Sequence, residues 1–149
     1  MKATLVIAIV IAAAVTGLSR AAAATHTNAT VSVATSKLGR ILVDSRGRTL
    51  YLFEKDKRGR SACAGTCATY WPPLLTKGKP TAGSSTKKTL LGITRRADGT
   101  TQVTYGGHPL YRFVQDTKGG QTSGQDLQDF GAGWYVVSPT GQKIERAGS

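Results

Sequence analysis

The chain has 149 residues, and its 20 Lys and Arg against 8 Asp and Glu give a formal charge of +12. That length leaves room for one domain with one core. So basic a chain has affinity for polyanions, and two Cys with two His supply too few ligands in the right places for a four-ligand zinc site.

Lys2, an apolar run from Ala3 to Val15 and the small-residue tract Ala21–Ala24 predict a secretory signal peptide over residues 1–24, cleaved after Ala24. The run falls short of the roughly 18–20 residues of a membrane span. No cysteine near the cleavage region offers a lipid acceptor. The mature protein is therefore expected to be secreted, periplasmic or cell-wall associated, with no transmembrane anchor after processing.

Residues 25–37 form an N-terminal segment whose Thr30–Thr35 alternation marks a candidate edge strand. A first repeat is expected over 38–76, a linker rich in Gly, Pro, Ser, Thr and Lys over 77–88, and a second repeat over 89–146. Residues 38–146 make one folded domain. Hairpins are predicted at Asp44–Arg48, Ala97–Gly99, Gly106–His108 and Ser138–Gly141, where Asp, Ser and Gly supply turn geometry between β-rich runs. Cys63–Trp71 reads as a short helical turn stopped by Pro72-Pro73, and Thr117–Gly133 as a long loop ordered by Leu127 and Phe130. The expected fold class is all-β, a small antiparallel sheet or sandwich-like domain of seven or eight strands built from two pseudo-repeated β units.

The repeat is explicit. VDSRGRTLYLFEKD at Val43–Asp56 and VTYGGHPLYRFVQD at Val103–Asp116 coincide at Val43/Val103, Gly47/Gly107, Leu50/Leu110, Tyr51/Tyr111, Phe53/Phe113 and Asp56/Asp116, at a constant offset. Period two places Tyr51 with Phe53, and Tyr111 with Phe113, on one face, the expected core face. Because Arg112 replaces Leu52, the opposite face is expected to be buried in the first half only. Trp71 and Trp134 follow the two copies at similar distances and are expected to cap each half.

These residues carry a resemblance. Gly47-x-x-Leu50-Tyr51-x-Phe53-x-x-Asp56, the run Ser61–Ala68 (SACAGTCA), Trp71–Leu74 (WPPL) and the second copy from Gly107 to Asp116 resemble the bacterial secreted repeat of unknown function. Many of its members are predicted lipoproteins with a Y-x-(F/W/Y)-x-x-D motif. The resemblance covers about Leu38 to Ile144. It implies export and brings no activity with it, and the chain departs from many relatives in lacking the lipidated cysteine.

The candidates for chemistry are few. Cys63 and Cys67, expected to be exported, are expected to pair as a disulfide. Their alternative is a thiol-redox or Cu(I) site, since residues four apart share a helix face and His108 would add a third ligand. That ligand set is similar to the copper site of exported copper-delivery proteins, whose thioredoxin-like fold this sequence does not share. Asp56 and Asp116 are expected to close turns by accepting backbone N–H groups. Their alternative is a carboxylate dyad acting on carbohydrate. No Ser-His-Asp set, phosphate-cradling loop or calcium loop is visible. The expectation is an exported, non-enzymatic β domain with no cofactor (copper in the alternative) and no specific nucleic-acid partner, binding anionic cell-wall polymers or the envelope surface.

Overall fold

The computed structural model describes residues 27–57 and 59–145; the expected signal peptide lies outside them. Among these residues nine strands and one short α-helix follow in order: β1 (Thr30–Ser36), β2 (Gly39–Asp44), β3 (Tyr51–Phe53), α1 (Thr66–Tyr70), β4 (Thr81–Ala82), β5 (Leu91–Arg95), β6 (Thr101–Tyr105), β7 (His108–Pro109), β8 (Leu127–Asp129) and β9 (Ala132–Val136), with a 3-10 turn over Lys88–Leu90 leading into β5. They form three three-stranded sheets, β2-β1-β4, β3-β9-β8 and β5-β6-β7. The fold is all-β. Among the described residues no helix is long and apolar enough to cross a membrane.

The two repeats are built alike around a leucine. In the first, Leu50 N–H donates to Leu42 C=O at 3.0 Å, and Val137 N–H donates to Leu50 C=O at 3.2 Å. In the second, Leu110 N–H donates to Val103 C=O at 3.0 Å, and Leu74 N–H donates to Leu110 C=O at 2.9 Å. The structural partner of Val103 is thus Leu42, not Val43. The first repeat's hairpin loop is one residue longer, which shifts everything before it. Asp44 N–H bonds Arg48 C=O across Ser45, Arg46 and Gly47, and Gly47 has φ +76°. The second repeat turns in two residues, Gly106 and Gly107, both at positive φ, between the paired Tyr105 and His108. Each is a favoured way to reverse a twisted hairpin, and each needs its glycine in the left-handed region.

The leucine face is buried in both repeats: Leu42, Leu50, Leu52, Val103, Leu110, Leu74 and Val137 form one core cluster. The expectation that only the first half buries this face is corrected at Leu110. Arg112 stays half-buried because it bonds Asp44 Oδ2 at 2.7 Å, as Arg48 does at 3.1 Å. The other cluster holds Tyr51, Phe53, Tyr111, Phe113, Trp71, Trp134 and the two cysteines.

Residues 117–133 are not all loop. β8 pairs with β9, and Leu127 lies exposed. The segment is fixed by Phe130, which packs against the aromatic core cluster, and by buried Gln125, whose Nε2 donates to Ile144 C=O at 2.5 Å and whose Oε1 accepts Val136 N–H at 2.8 Å. Gly124 is held against Trp71 and Tyr51: a Cβ there would sit 2.7 Å from the indole. In the expected linker, Thr81–Ala82 runs parallel to β1.

Trp71 and Trp134 are both fully buried and occupy equivalent positions. Alanine at either is expected to cost about 3–5 kcal/mol, and the two losses should match closely. Leu127→Ala should stay within about 0.5 kcal/mol. Urea unfolding followed by far-UV circular dichroism checks all three.

Candidate functional site at the crossed tyrosine–aspartate pairs

In the first repeat the Y-x-F-x-x-D motif places its tyrosine at the start of β3 and its aspartate just past that strand's end; in the second, Tyr111 stands in isolated bridges to Tyr51 and Pro73. The main chain turns at both aspartates: Asp56 N–H donates to Phe53 C=O and Asp116 N–H to Phe113 C=O, each at 3.1 Å. Tyr51 and Tyr111 face each other as an antiparallel pair, exchanging backbone hydrogen bonds at 2.8 and 2.9 Å. A pseudo-twofold axis passes between them.

About that axis the side chains cross. Tyr51 Oη donates to Asp116 Oδ2, and Tyr111 Oη donates to Asp56 Oδ2 at 2.7 Å. Each tyrosine is held by the other repeat's aspartate. The second carboxylate oxygens close loops: Asp56 Oδ1 accepts Ala62 N–H at 2.7 Å and Asp116 Oδ1 accepts Ser123 N–H at 3.0 Å. Those amides lie six and seven residues on, farther than the two residues of an Asx turn. Tyr51 Oη also accepts Gly124 N–H at 3.2 Å, while Tyr111 Oη lies 2.8 Å from Ser61 Oγ.

The aromatics cross in the same way. Phe53 of the first repeat stacks on Trp134 of the second (4.0 Å between ring centres), Trp134 on Trp71 (3.9 Å) and Trp71 on Phe113 (4.3 Å). Tyr51 meets Trp71 edge-on at 5.4 Å, and Tyr111 meets Trp134 edge-on at 5.1 Å. Such pairs add about 0.5–1.5 kcal/mol beyond the area they bury. The tryptophans form the middle of one stack that spans both halves.

Two features sit beside only one pair. Cys63 and Cys67 form a buried disulfide, with Cα atoms 5.3 Å apart, at the foot of α1. Buried Arg96 then ties this clasp to the Tyr111–Asp56 pair. Its Nη1 donates to Ser61 Oγ and Gln102 Oε1, both at 2.8 Å, and its Nη2 donates to Cys63 C=O at 2.7 Å. Arg96 Nε has no hydrogen-bond partner. Sequence reading missed Arg96, Ser61 and Gln102. A buried Arg looks like its exposed neighbours when basic residues are scattered along the chain.

His108 lies away from the disulfide, lining a surface groove of about 250 Å³ with Leu52, Phe53, Glu54, Asp56, Gln142 and Lys143. A second hollow, of about 410 Å³, is walled by Leu75–Lys77 and Gly99–Thr101. The structure does not gather Cys63, Cys67 and His108. Among the described residues no three His, Cys, Asp or Glu side chains lie close enough to share a metal ion. Asp56 and Asp116 are likewise committed to different tyrosines.

Burial pushes the Asp56 carboxyl up to about 6, against the Ala62 and Tyr111 hydrogen bonds and the Arg96 charge. Burial and the facing carboxylates raise both tyrosines, so their phenols stay protonated as donors. Burial would raise Asp44 too, but hydrogen bonds from Arg112 and the Arg48 and Arg46 amides outweigh it and hold it below its ordinary value. Burial lowers His108 and keeps it neutral at physiological pH.

A family model described as a secreted repeat of unknown function matches residues 32–75 and again 92–138. The chain belongs to that family. The two matches begin at equivalent strand positions, Ser32 and Gly92, and end one residue past the equivalent pair Leu74 and Val137. The family's repeat thus coincides with the structural unit that the crossed pairs join. No curated protein and no solved structure matches the chain.

Tyr51→Phe and Tyr111→Phe are each expected to destabilise by about 1–3 kcal/mol, since a buried carboxylate loses its donor. Tyr51→Phe should cost more, because Asp116 is nearly inaccessible and Asp56 keeps the neighbouring Arg96 charge.

Asp56 also predicts a pH dependence. Its folded value, about 6, lies above its ordinary 3.8, so its contribution to stability is full below pH 3.8 and lost as pH rises through about 6. The loss is on the order of 2–3 kcal/mol. Asp44, shifted the other way, acts at lower pH. Urea unfolding between about pH 4 and 7 should show the decline in the native chain and a flatter profile in Asp56→Asn.

Proposed function

We propose that the chain is a non-catalytic, exported binding module that holds anionic polymers of the cell envelope through its basic surface. One observation carries this reading: the motif's tyrosines, aspartates and tryptophans are spent on joining the repeats, while exposed cations dominate what remains accessible. Lys55, Lys57 and Arg60 cluster in the turn after β3, Lys77 and Lys79 open the intervening segment, and Lys87 and Lys88 close it. Of the exposed acids, Glu54 is paired with Lys143 at 2.7 Å, and Asp98 accepts bonds from Thr100. The field of the surface is therefore positive over wide areas, and such a field concentrates polyanions near it. The closed, buried disulfide supports a clasp for the α1 loop in preference to a working redox pair, because a reactive cysteine needs exposure.

Binding of the mature protein to a poly(glycerol phosphate) wall polymer tests the reading. Affinity should fall by at least about tenfold between low salt and roughly 0.5 M salt, as screening removes attraction between exposed charges. Replacing Lys55, Lys57 and Arg60 by Glu should weaken binding without lowering stability. Absence of binding at low salt, or binding indifferent to salt, would sink the proposal.

A further inference from the structure

The pseudo-twofold relation fails along one line, the outer edge of β5. Because Leu42 and Val103 are equivalent, so are their antiparallel partners Val33 and Ile93, and with them Val31 and Leu91. In the first repeat this edge is occupied. Thr81 N–H donates to Ala29 C=O at 2.8 Å, Gly83 N–H to Val31 C=O at 2.7 Å, and Val33 N–H to Ser84 C=O at 3.0 Å. The occupant runs parallel to β1.

In the second repeat the edge is bare. Gly106 N–H bonds Leu90 C=O and Arg96 N–H bonds Thr100 C=O, so antiparallel alternation turns Gly92 and Thr94 toward β6 and Leu91, Ile93 and Arg95 outward. Among the described residues β5 has no other strand partner, and no hydrogen bond reaches Leu91 C=O or either backbone group of Ile93. Ile93 is 54 % exposed. Unpaired edges of this kind are templates for another strand.

We propose that this edge is a peptide-docking site that takes one extended, carboxylate-bearing polypeptide segment as an added parallel strand. The filled edge of the first repeat shows the geometry: the groups equivalent to those that hold Gly83 and Ser84 are Leu91 C=O and Ile93 N–H. Charge selects the occupant. Exposed Lys87 and Lys88 precede the strand and exposed Arg95 ends it. An acidic segment laid along this edge meets Lys87 and Lys88 at one end and Arg95 at the other.

The slot differs from its counterpart in one side chain. A Cβ at Gly83 would lie 1.9 Å from Ser32 Oγ and 3.0 Å from Val31 C=O, so glycine fits the first repeat's edge most closely. The second repeat has Gly92 in place of Ser32, and there Thr104 Oγ1 lies 2.8 Å from where a Gly92 Cβ would stand. This inference goes beyond polymer binding and does not rest on it.

The test is fluorescence anisotropy with a labelled synthetic peptide of alternating Thr and Val, carrying paired Asp at both ends. Controls are the same peptide N-methylated at its Val amides, and a version with Lys ends. The acidic peptide should bind, and each control should bind at least about tenfold more weakly. Ile93→Pro removes only an outward N–H, a change edge strands tolerate, and should weaken the acidic peptide by a similar factor. Wall-polymer binding should be unchanged in that variant, which separates this site from the basic surface. Hydrogen exchange on the native chain reads the site without a substitution: saturating peptide should slow the Ile93 amide. Unchanged Ile93 exchange, equal binding of the N-methylated peptide, or a peptide-free dimer mediated by β5 would each overturn the proposal.

Discussion

The exchange of tyrosine–aspartate bonds across the Tyr51–Tyr111 strand pair is the constraint on which the rest of the structure depends. Two backbone hydrogen bonds fix the tyrosines side by side, and each phenol then reaches the carboxylate of the opposite repeat. Each carboxylate in turn holds its own downstream loop through a backbone amide. A single repeat would leave both a buried phenol and one oxygen of its carboxylate without partners, which costs more than the bonds return when made. The stack Phe53–Trp134–Trp71–Phe113 obeys the same rule, since each phenylalanine lies on the tryptophan of the other half. In a solenoid each repeat packs on the next and the array can extend. Here the contacts are mutual, in the manner of a twofold dimer interface, and two units satisfy one another.

Around this symmetric centre the two halves solve the same loop problem differently. The first half covers its tyrosine–aspartate pair with α1, stapled by the Cys63–Cys67 disulfide and tied down by Arg96. The second uses Gly124, Gln125 and the added strand β8, with no bridge. Arg96 explains part of the difference. Its buried charge is spread over Ser61, Gln102 and a carbonyl, near Asp56, so the polar network of the first pair is larger. Asp116 has only neutral donors about it.

Much of the local structure was legible in the sequence. Period two put Tyr51, Phe53, Tyr111 and Phe113 on one face, and that face is core. Asp-Gly and Gly-Gly turns marked the hairpins, and Pro72 marked the end of α1. The motif's aspartates were also legible as loop closers, though not the distance they reach. What was not legible depends on tertiary partner choice. A repeat read without gaps aligned Val43 with Val103, because a three-residue bulged loop and a two-residue turn differ by a residue that identity matching does not see. The crossed bonds were invisible because period two fixes the face of a tyrosine and says nothing about which repeat's aspartate it meets. β8 is three residues, Leu127–Asp129, with one exposed leucine, too short to show alternation. It exists because β9 offers it an edge.

The division between shared and unshared residues bears on function. Positions common to both repeats (tyrosine, phenylalanine, aspartate, tryptophan, leucine) are those buried at the interface between them, so the motif describes how the unit closes. Several positions at which the repeats differ lie nearer the rim. Ser32 is replaced by Gly92, the covered edge of β1 by the open edge of β5, and Leu52 by Arg112. A duplicated unit that has settled its core twice over is free to vary its rim once. On the two readings proposed, the discriminating chemistry of this chain lies where the symmetry breaks: the lysines of the joining segment and the unpaired backbone of Leu91 and Ile93.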